Sequence, residues 1–302
     1  MSNTAVALGE VLWDLLPDGP QLGGAPGNFI WRMHELGHPA ALISRIGRDE
    51  LGRRARQILA ASGMDISALQ EDSVLPTGTV QVCLDAKGSP DFLIVPNVAY
   101  DALEVSTAAL DVVRSAQCVC FGTLVQRSPQ TRATLYALLA ETSGALKFLD
   151  INLRKLCYTP ETIRESLKRA DILKLNETEW PIVGEALGIA SGDPREFAAQ
   201  LFQALPLKLI LVTLGERGAL AFKPNAAPAH VAGHRVEVVD TCGSGDAFSA
   251  GFLHQYLVGA PLLQCLEFGN ALGAMVAEQS GATQPINQAR LEVLLKATRA
   301  PG

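Results

Sequence analysis

Short runs of apolar, β-favouring residues alternate with longer amphipathic stretches along most of this chain. Residues 5–8, 41–46, 118–121, 147–149, 172–175 and 209–213 read as strands. Helix starts lie between them. Ser128-Pro129, Thr159-Pro160 and Asp193-Pro194 each place a capping side chain before a proline at the first helical position, and Asp193 has Glu196 at capping-box spacing. Strand and helix repeated in this order predict a three-layer α/β/α fold with a mostly parallel central sheet. Two segments break the rhythm. Residues 10–22 carry the turn run Pro17-Asp18-Gly19-Pro20, and residues 79–95 alternate, with Val80, Val82 and Leu84 on one side and a turn at Lys87-Gly88-Ser89-Pro90. Both predict antiparallel hairpins. Because a βαβα stretch separates them, they have to meet in space as a small sheet outside the main one, a lid formed by about residues 10–22 and 77–97. Residues 218–239 predict further hairpins with a last strand at 236–239, followed by helices at Ser244–Leu257 and Leu262–Ala277. With no internal repeat or long linker, residues 1–302 are expected to form one domain.

Charge narrows the range of partners. The 31 acidic residues outnumber the 25 Lys and Arg for a net charge of −6, and no basic run occurs, which argues against bulk electrostatic capture of nucleic acid or an anionic membrane. The apolar runs are far shorter than the roughly 20 residues that span a bilayer, and residues 1–5 do not open a secretory signal, so a cytoplasmic location is expected. Six cysteines without a C-x-x-C pair and five scattered histidines offer neither a disulfide framework nor a zinc site.

In open α/β sheets ligands lie beyond the carboxyl ends of the strands. Polar residues concentrate there: Gly9-Glu10 and Asp14, Asp150 to Arg154, Asn176 to Glu179, Thr213-Leu214-Gly215, and Asp240-Thr241-Cys242-Gly243-Ser244-Gly245-Asp246. The last of these runs from the expected strand straight into an apolar helix, so residues 243–246 form a first helical turn with unpaired N–H groups, an anion site. Asp246 sets a carboxylate beside it, kept ionised by the helix dipole and able to take a proton from an attacking alcohol. On its own the run is equally a tight turn with a dipole-complementing acid. Gly23-Gly24-Ala25-Pro26-Gly27-Asn28, before a helical pattern at 29–36, lacks both dinucleotide and Walker signatures. Its glycines suit close approach of a polyol and Asn28 offers donor and acceptor to hydroxyls, although for the motif taken alone a helix start capped by Asn28 is the favoured reading. Asn176-x-x-Glu179 reads as a capping box, Asp14 as a solvated hairpin residue, Arg154 as a surface cation and Thr213-x-Gly215 as a strand end when each is taken alone.

Together, in order, these motifs resemble the two signatures of the ribokinase-like (PfkB) carbohydrate kinases. The likeness covers nearly the whole chain and includes Gly9-Glu10-x-x-x-Asp14, Gly37, Gly47, Asp150-x-Asn152-x-Arg154, Asn176-x-x-Glu179 and Thr213-x-Gly215-x-x-Gly218. Gly-Glu-x-x-x-Asp, Gly-Gly-Ala-Pro and Asp-x-Asn-Leu-Arg are closest to the fructokinase branch. The resemblance implies an ATP-dependent kinase acting on a primary hydroxyl of a ketose, fructose above all. Asp246 would be the base, and the N–H groups of Gly243, Ser244 and Gly245 would meet the transferring phosphoryl. Asp14, Gly24, Asn28 and Arg154 would hold the sugar. Asn176, Thr213, Gly215, Gly218, Gly243 and Asn270 would line the nucleotide. Glu179 would approach Mg²⁺ through water, and carbonyls at Asp240 and Cys242 would hold a monovalent cation, K⁺. A homodimer through the lid is also implied. Two departures bear on this: Ile94 stands where fructokinase-like members often carry arginine, and Ile286 stands where a hydroxyl is common near the cation. The alternatives are a 2-keto-3-deoxygluconate kinase, another sugar or nucleoside kinase, or a silent nucleotide- and sugar-binding regulator.

Overall fold

The computed structural model describes residues 4–16, 18–84, 90–142, 144–189 and 192–299. The chain opens with β1 (Thr4–Leu8), a hairpin of β2 (Leu12–Leu16) and β3 (Gly19–Gly23), and helix α1 (Ala25–Glu35). Next come β4 (Ala40–Gly47), α2 (Glu50–Ser62), β5 (Leu69–Asp72), and the pair β6 (Gly78–Leu84) and β7 (Pro90–Ile94). Helix α3 (Thr107–Arg114), β8 (Ala116–Phe121), α4 (Pro129–Ala140), β9 (Leu146–Asp150), α5 (Pro160–Leu167) and β10 (Ile172–Asn176) continue the alternation. It is completed by α6 (Glu179–Leu187), α7 (Pro194–Ala204), β11 (Leu209–Thr213), β12 (Ala219–Phe222) and β13 (Ala229–Val231). Helices α8 (Ser244–Leu257), α9 (Leu262–Ala277) and α10 (Gln288–Arg299) close the chain.

A nine-stranded sheet runs β13-β12-β11-β10-β9-β8-β1-β4-β5, parallel from β11 to β5 with an antiparallel edge at β12 and β13. Both of its faces are covered, so its central strands are mostly apolar instead of alternating regularly with polar residues. In β1, Val6 and Leu8 pack into the core beneath α3 to α7, while Ala5 and Ala7 pack into the opposite core with α1, α2 and α8. The proline-led starts cap as the sequence requires. The side-chain oxygens of Ser128, Thr159 and Asp193 accept N–H bonds from Thr131, Thr162 and Arg195.

The second sheet, β3-β2-β6-β7, holds both hairpins, which meet through a parallel pairing of β2 with β6. Pro17 and the turn residues 87–89 lie outside the described residues. Side-chain contacts tie this sheet to the main body, among them the bond from Trp13 Nε1 on β2 to the Leu51 carbonyl on α2. The Asp49 carboxylate, which caps α2, also accepts the N–H and hydroxyl of Thr77, and Arg127 donates to the carbonyls of Ile94 and Val95 while paired with Asp101.

Two local expectations change. Residues 236–239 form no strand: Val239 N–H bonds the Ala277 carbonyl at the end of α9, so the segment crosses a helix end with Val238 and Val239 exposed. The first helix begins at Ala25 and not at 29, since Pro26 sits in its first turn, and Asn28 is therefore inside the helix.

Arg32, fully buried on α1, donates to the carbonyls of Ala282 and Gln284 and pairs with Glu35, fastening the loop after α9 to the first helix. Removing the guanidinium leaves those acceptors buried without donors. Arg32→Met is expected to lower unfolding free energy by about 3 kcal/mol; a urea midpoint equal to the parent's contradicts this.

Candidate active site

The strand ends of the main sheet, the N-terminus of α8 and the small sheet converge on one buried group of carboxylates. Gly243 is the N-cap residue of α8, with φ of 74°, and a Cβ there would lie 2.4 Å from the Ala282 Cβ, so only glycine fits. The turn it makes exposes the first N–H groups of the helix. Ser244 N–H contacts the Thr241 carbonyl at 3.2 Å, and its hydroxyl donates to the Gly273 carbonyl, so Gly243 and Gly245 are the better-placed donors to an anion. Cys242 N–H and Gly281 N–H both bond the Asp240 carboxylate, which locks this turn to the loop after α9.

Asn28 settles the first motif. It is buried, its Nδ2 donates to Asp246 Oδ2 at 2.8 Å, and its Oδ1 is buried without a partner. The amide caps nothing. It joins the glycine-rich start of α1 to the carboxylate on α8 and leaves one acceptor for a hydroxyl. Gly24, with φ of 106°, brings the chain so near Glu10 that a Cβ would stand 2.6 Å from the Glu10 carbonyl oxygen.

Electrostatics differ from the simple dipole expectation for Asp246. Burial, then the nearby Asp150 charge, push its carboxyl up to about 6, against the Asn28 hydrogen bond and the charges of Lys174 and Arg154. Desolvation outweighs the helix terminus, yet the group remains largely ionised at neutral pH and is a stronger base than an exposed aspartate. Glu10 is raised to about 7, chiefly by burial. Asp14 on β2, whose Oδ2 faces Gly23, is raised to about 6 by burial, against the pull of Arg154. Arg154 itself is exposed, but its charge reaches Glu10, Asp14 and Asp246, so it belongs to the cluster and is no isolated surface cation. A pocket lined by Glu10, Ala25, Phe29, Thr123, Asp150 and Asp246 opens beside Asn152.

On the side where the resemblance puts the nucleotide, Asn176 and Thr213 are register partners at the ends of β10 and β11. Gly215 and Gly218 shape the loop that follows, whereas Asn270 reaches from α9 to donate to the carbonyls of Val231 and Ala232, so its amide nitrogen holds β13. The capping reading of Asn176-x-x-Glu179 is also realised. Asn176 Oδ1 accepts the N–H of Thr178 and Glu179, while the Glu179 carboxylate accepts the N–H of Asn176 and Leu153. Residues not singled out from sequence complete the site. Lys174 pairs with Asp150 at 3.0 Å and Ser249 donates to the other Asp150 oxygen. The available signal was a lysine inside the apolar strand at 172–176.

Comparison with known proteins bears on the family and the fold. The family model described as pfkB family carbohydrate kinase matches residues 20–289. Fructokinase-1 of Oryza sativa subsp. japonica is 31% identical over 97% of this chain and 97% of its own length. The fructokinase of Vibrio cholerae O395, solved with fructose, ADP and calcium ion, superposes with a TM-score of 0.82 at 28% identity, covering 97% of this chain and 99% of that one. The ATP-bound fructokinase of Xylella fastidiosa superposes at 0.88 with 20% identity over 99% of this chain and all of its own, a likeness of fold. A chain with a buried carboxylate at a glycine-rich helix start, matched by this family model over most of its length, belongs to the pfkB family of carbohydrate kinases.

Proposed function

We propose that this protein transfers the γ-phosphoryl group of ATP to a primary hydroxyl of a ketose, with fructose as the preferred sugar. The observation that carries the reading is the bond from Asn28 to Asp246, which sets a hydroxyl-binding amide against a buried base at the mouth of an anion-binding turn. The fructokinases among its relatives supply the sugar. Asp14, Gly24, Asn28 and Arg154 bind the sugar hydroxyls, and the small sheet acts as a lid that keeps water from the transfer.

In the reaction Asp246 takes the proton of the sugar hydroxyl as its oxygen bonds to the γ-phosphorus, while the bond from that phosphorus to the bridging oxygen breaks and ADP leaves. The N–H groups of Gly243 and Gly245, with Ser244 behind them, stabilise the oxygens of the transferring group. Among the described residues no cluster of three or more His, Cys, Asp or Glu could hold a metal ion. Glu179, both of whose oxygens already accept N–H bonds, would offer its remaining lone pairs to the hydration shell of Mg²⁺ carried on the nucleotide. When bound, Mg²⁺ neutralises phosphate charge. Carbonyls at Asp240 and Cys242 are the proposed K⁺ ligands, in the turn that Asp240 clamps to Gly281. Asn176, Thr213, Gly215, Gly218 and Asn270 border the nucleotide, and pairing of lids between two copies is the proposed dimer contact.

Asp246→Asn is expected to reduce kcat by about 10³-fold while dissociation constants for ATP and sugar, measured by calorimetry, change little; near-parental turnover in this variant rejects the base. Because its carboxyl sits at about 6, kcat/KM should rise with pH through that region and level off above it, the base acting only when deprotonated; a pH-independent rate between 5 and 8, a range chosen to bracket that value, contradicts the assignment. Asp14→Ala should raise the sugar KM roughly 10- to 100-fold and leave the ATP KM nearly unchanged. ADP release across a panel of fructose, 2-keto-3-deoxygluconate, ribose and nucleosides should be fastest with fructose. Saturable binding without turnover on any of them points instead to a regulator.

A further inference from the structure

Lys174 is a buried ammonium in the middle of β10, flanked by the apolar Ile172, Leu173 and Leu175. Alternation along β10 puts Leu173 and Leu175 into one core and turns Lys174 to the opposite face, the one covered by α1 and α8, where its register partner is Asp150. Its Nζ donates to Asp150 Oδ1 at 3.0 Å and lies 3.2 Å from where a Cβ of Gly245 would stand. Asp150 is held from the other side, since Ser249 Oγ lies 2.9 Å from Asp150 Oδ2 and 3.0 Å from the Gly245 carbonyl. A continuous chain thus runs from Lys174 through Asp150 and Ser249 back to the turn that receives the phosphoryl group. The ammonium sits directly behind that turn.

We propose that Lys174 is a positioning residue for phosphoryl transfer: its buried charge, fixed by Asp150 and backed against Gly245, holds the 243–246 turn in place and balances the carboxylates around Asp246. The proposal rests on Asp246 being the base. The groups whose charges face Asp246 are Asp150 and Lys174 at β9 and β10 and Arg154 beyond β9; Asp246 in turn raises Glu10 after β1, Cys120 on β8 and Cys242 in its own turn. Lys174 also faces Glu179. Of these only Lys174 and Arg154 are cations, and Arg154 is exposed while Lys174 is not. Buried charges act at lower effective dielectric, so Lys174 is the stronger counterweight.

The test compares Lys174→Met, Lys174→Arg and Asp246→Asn in the assay with ATP, excess Mg²⁺ and the best sugar of the panel, as a function of pH. In Lys174→Met the acid limb of kcat should move up by about one pH unit and kcat at neutral pH should fall roughly 10- to 100-fold, with both KM values within about threefold; Lys174→Arg should restore the limb. A folded Lys174→Met with parental kcat and an unmoved limb overturns the proposal. Should that variant not fold, Lys174→Met combined with Asp150→Asn removes both charges at once. It is expected to fold and to show reduced kcat with the limb near its parental position. Parental kcat in the double variant, or its failure to fold, assigns Lys174 to packing and overturns the proposal. Turnover in Asp246→Asn, by contrast, defeats the base itself, so the two failures are distinguishable.

Discussion

The site depends on one hydrogen bond between residues 218 positions apart, from the Asn28 amide to the Asp246 carboxylate. It requires α1 and α8 to start at the same place, which in turn requires their glycine-rich approaches to accept backbone conformations and contacts that a side chain would block. Gly24 lies on the Glu10 carbonyl and Gly243 on Ala282. The loop that carries Ala282 is held to α1 by Arg32. The starts of α1 and α8 and the loop after α9 are therefore parts of one packed unit.

The cost of this arrangement is electrostatic. Glu10, Asp150, Glu179 and Asp246 are all buried, and burial disfavours their charged forms. Three kinds of compensation are visible. Glu179 takes two backbone N–H bonds, Asp150 takes Lys174 and Ser249, and Asp246 takes Asn28. Compensation is incomplete at Asp246, whose carboxyl remains raised, and that residual instability of the anion is the property the proposed general base would need to take up a proton. The net charge of −6 bears on none of this, because the field inside the site is set by the aligned N–H dipoles at the start of α8 and by the buried Lys174 ammonium beside Asp150, not by the protein's overall charge.

Much of this was legible in the chain. The strands at 5–8, 172–175 and 209–213 and the helices at Ser244–Leu257 and Leu262–Ala277 follow from apolar patterning and from capping residues, which are local. The two hairpins of the small sheet were readable for the same reason, down to the need for them to meet. The strand expected at 236–239 was not formed, since its valines match a strand pattern but no sheet edge is there to pair with them and the end of α9 takes the hydrogen bond instead. Asn28 looked like a cap because it follows glycines, yet Pro26 starts the helix earlier and turns the amide inward.

Sequence by itself determined the order of elements and the two glycine-rich turns, because periodicity, proline and glycine act on their own neighbours. It also determined which carboxylates would stand beyond strand ends. Only the tertiary structure decided how those groups affect one another. Lys174 reads as a blemish in a strand until β9 lays Asp150 beside it and α8 covers both. The ionisation of Asp246 likewise depends on burial and on charges brought from distant parts of the chain, and desolvation is a property of the packed whole that no local pattern encodes.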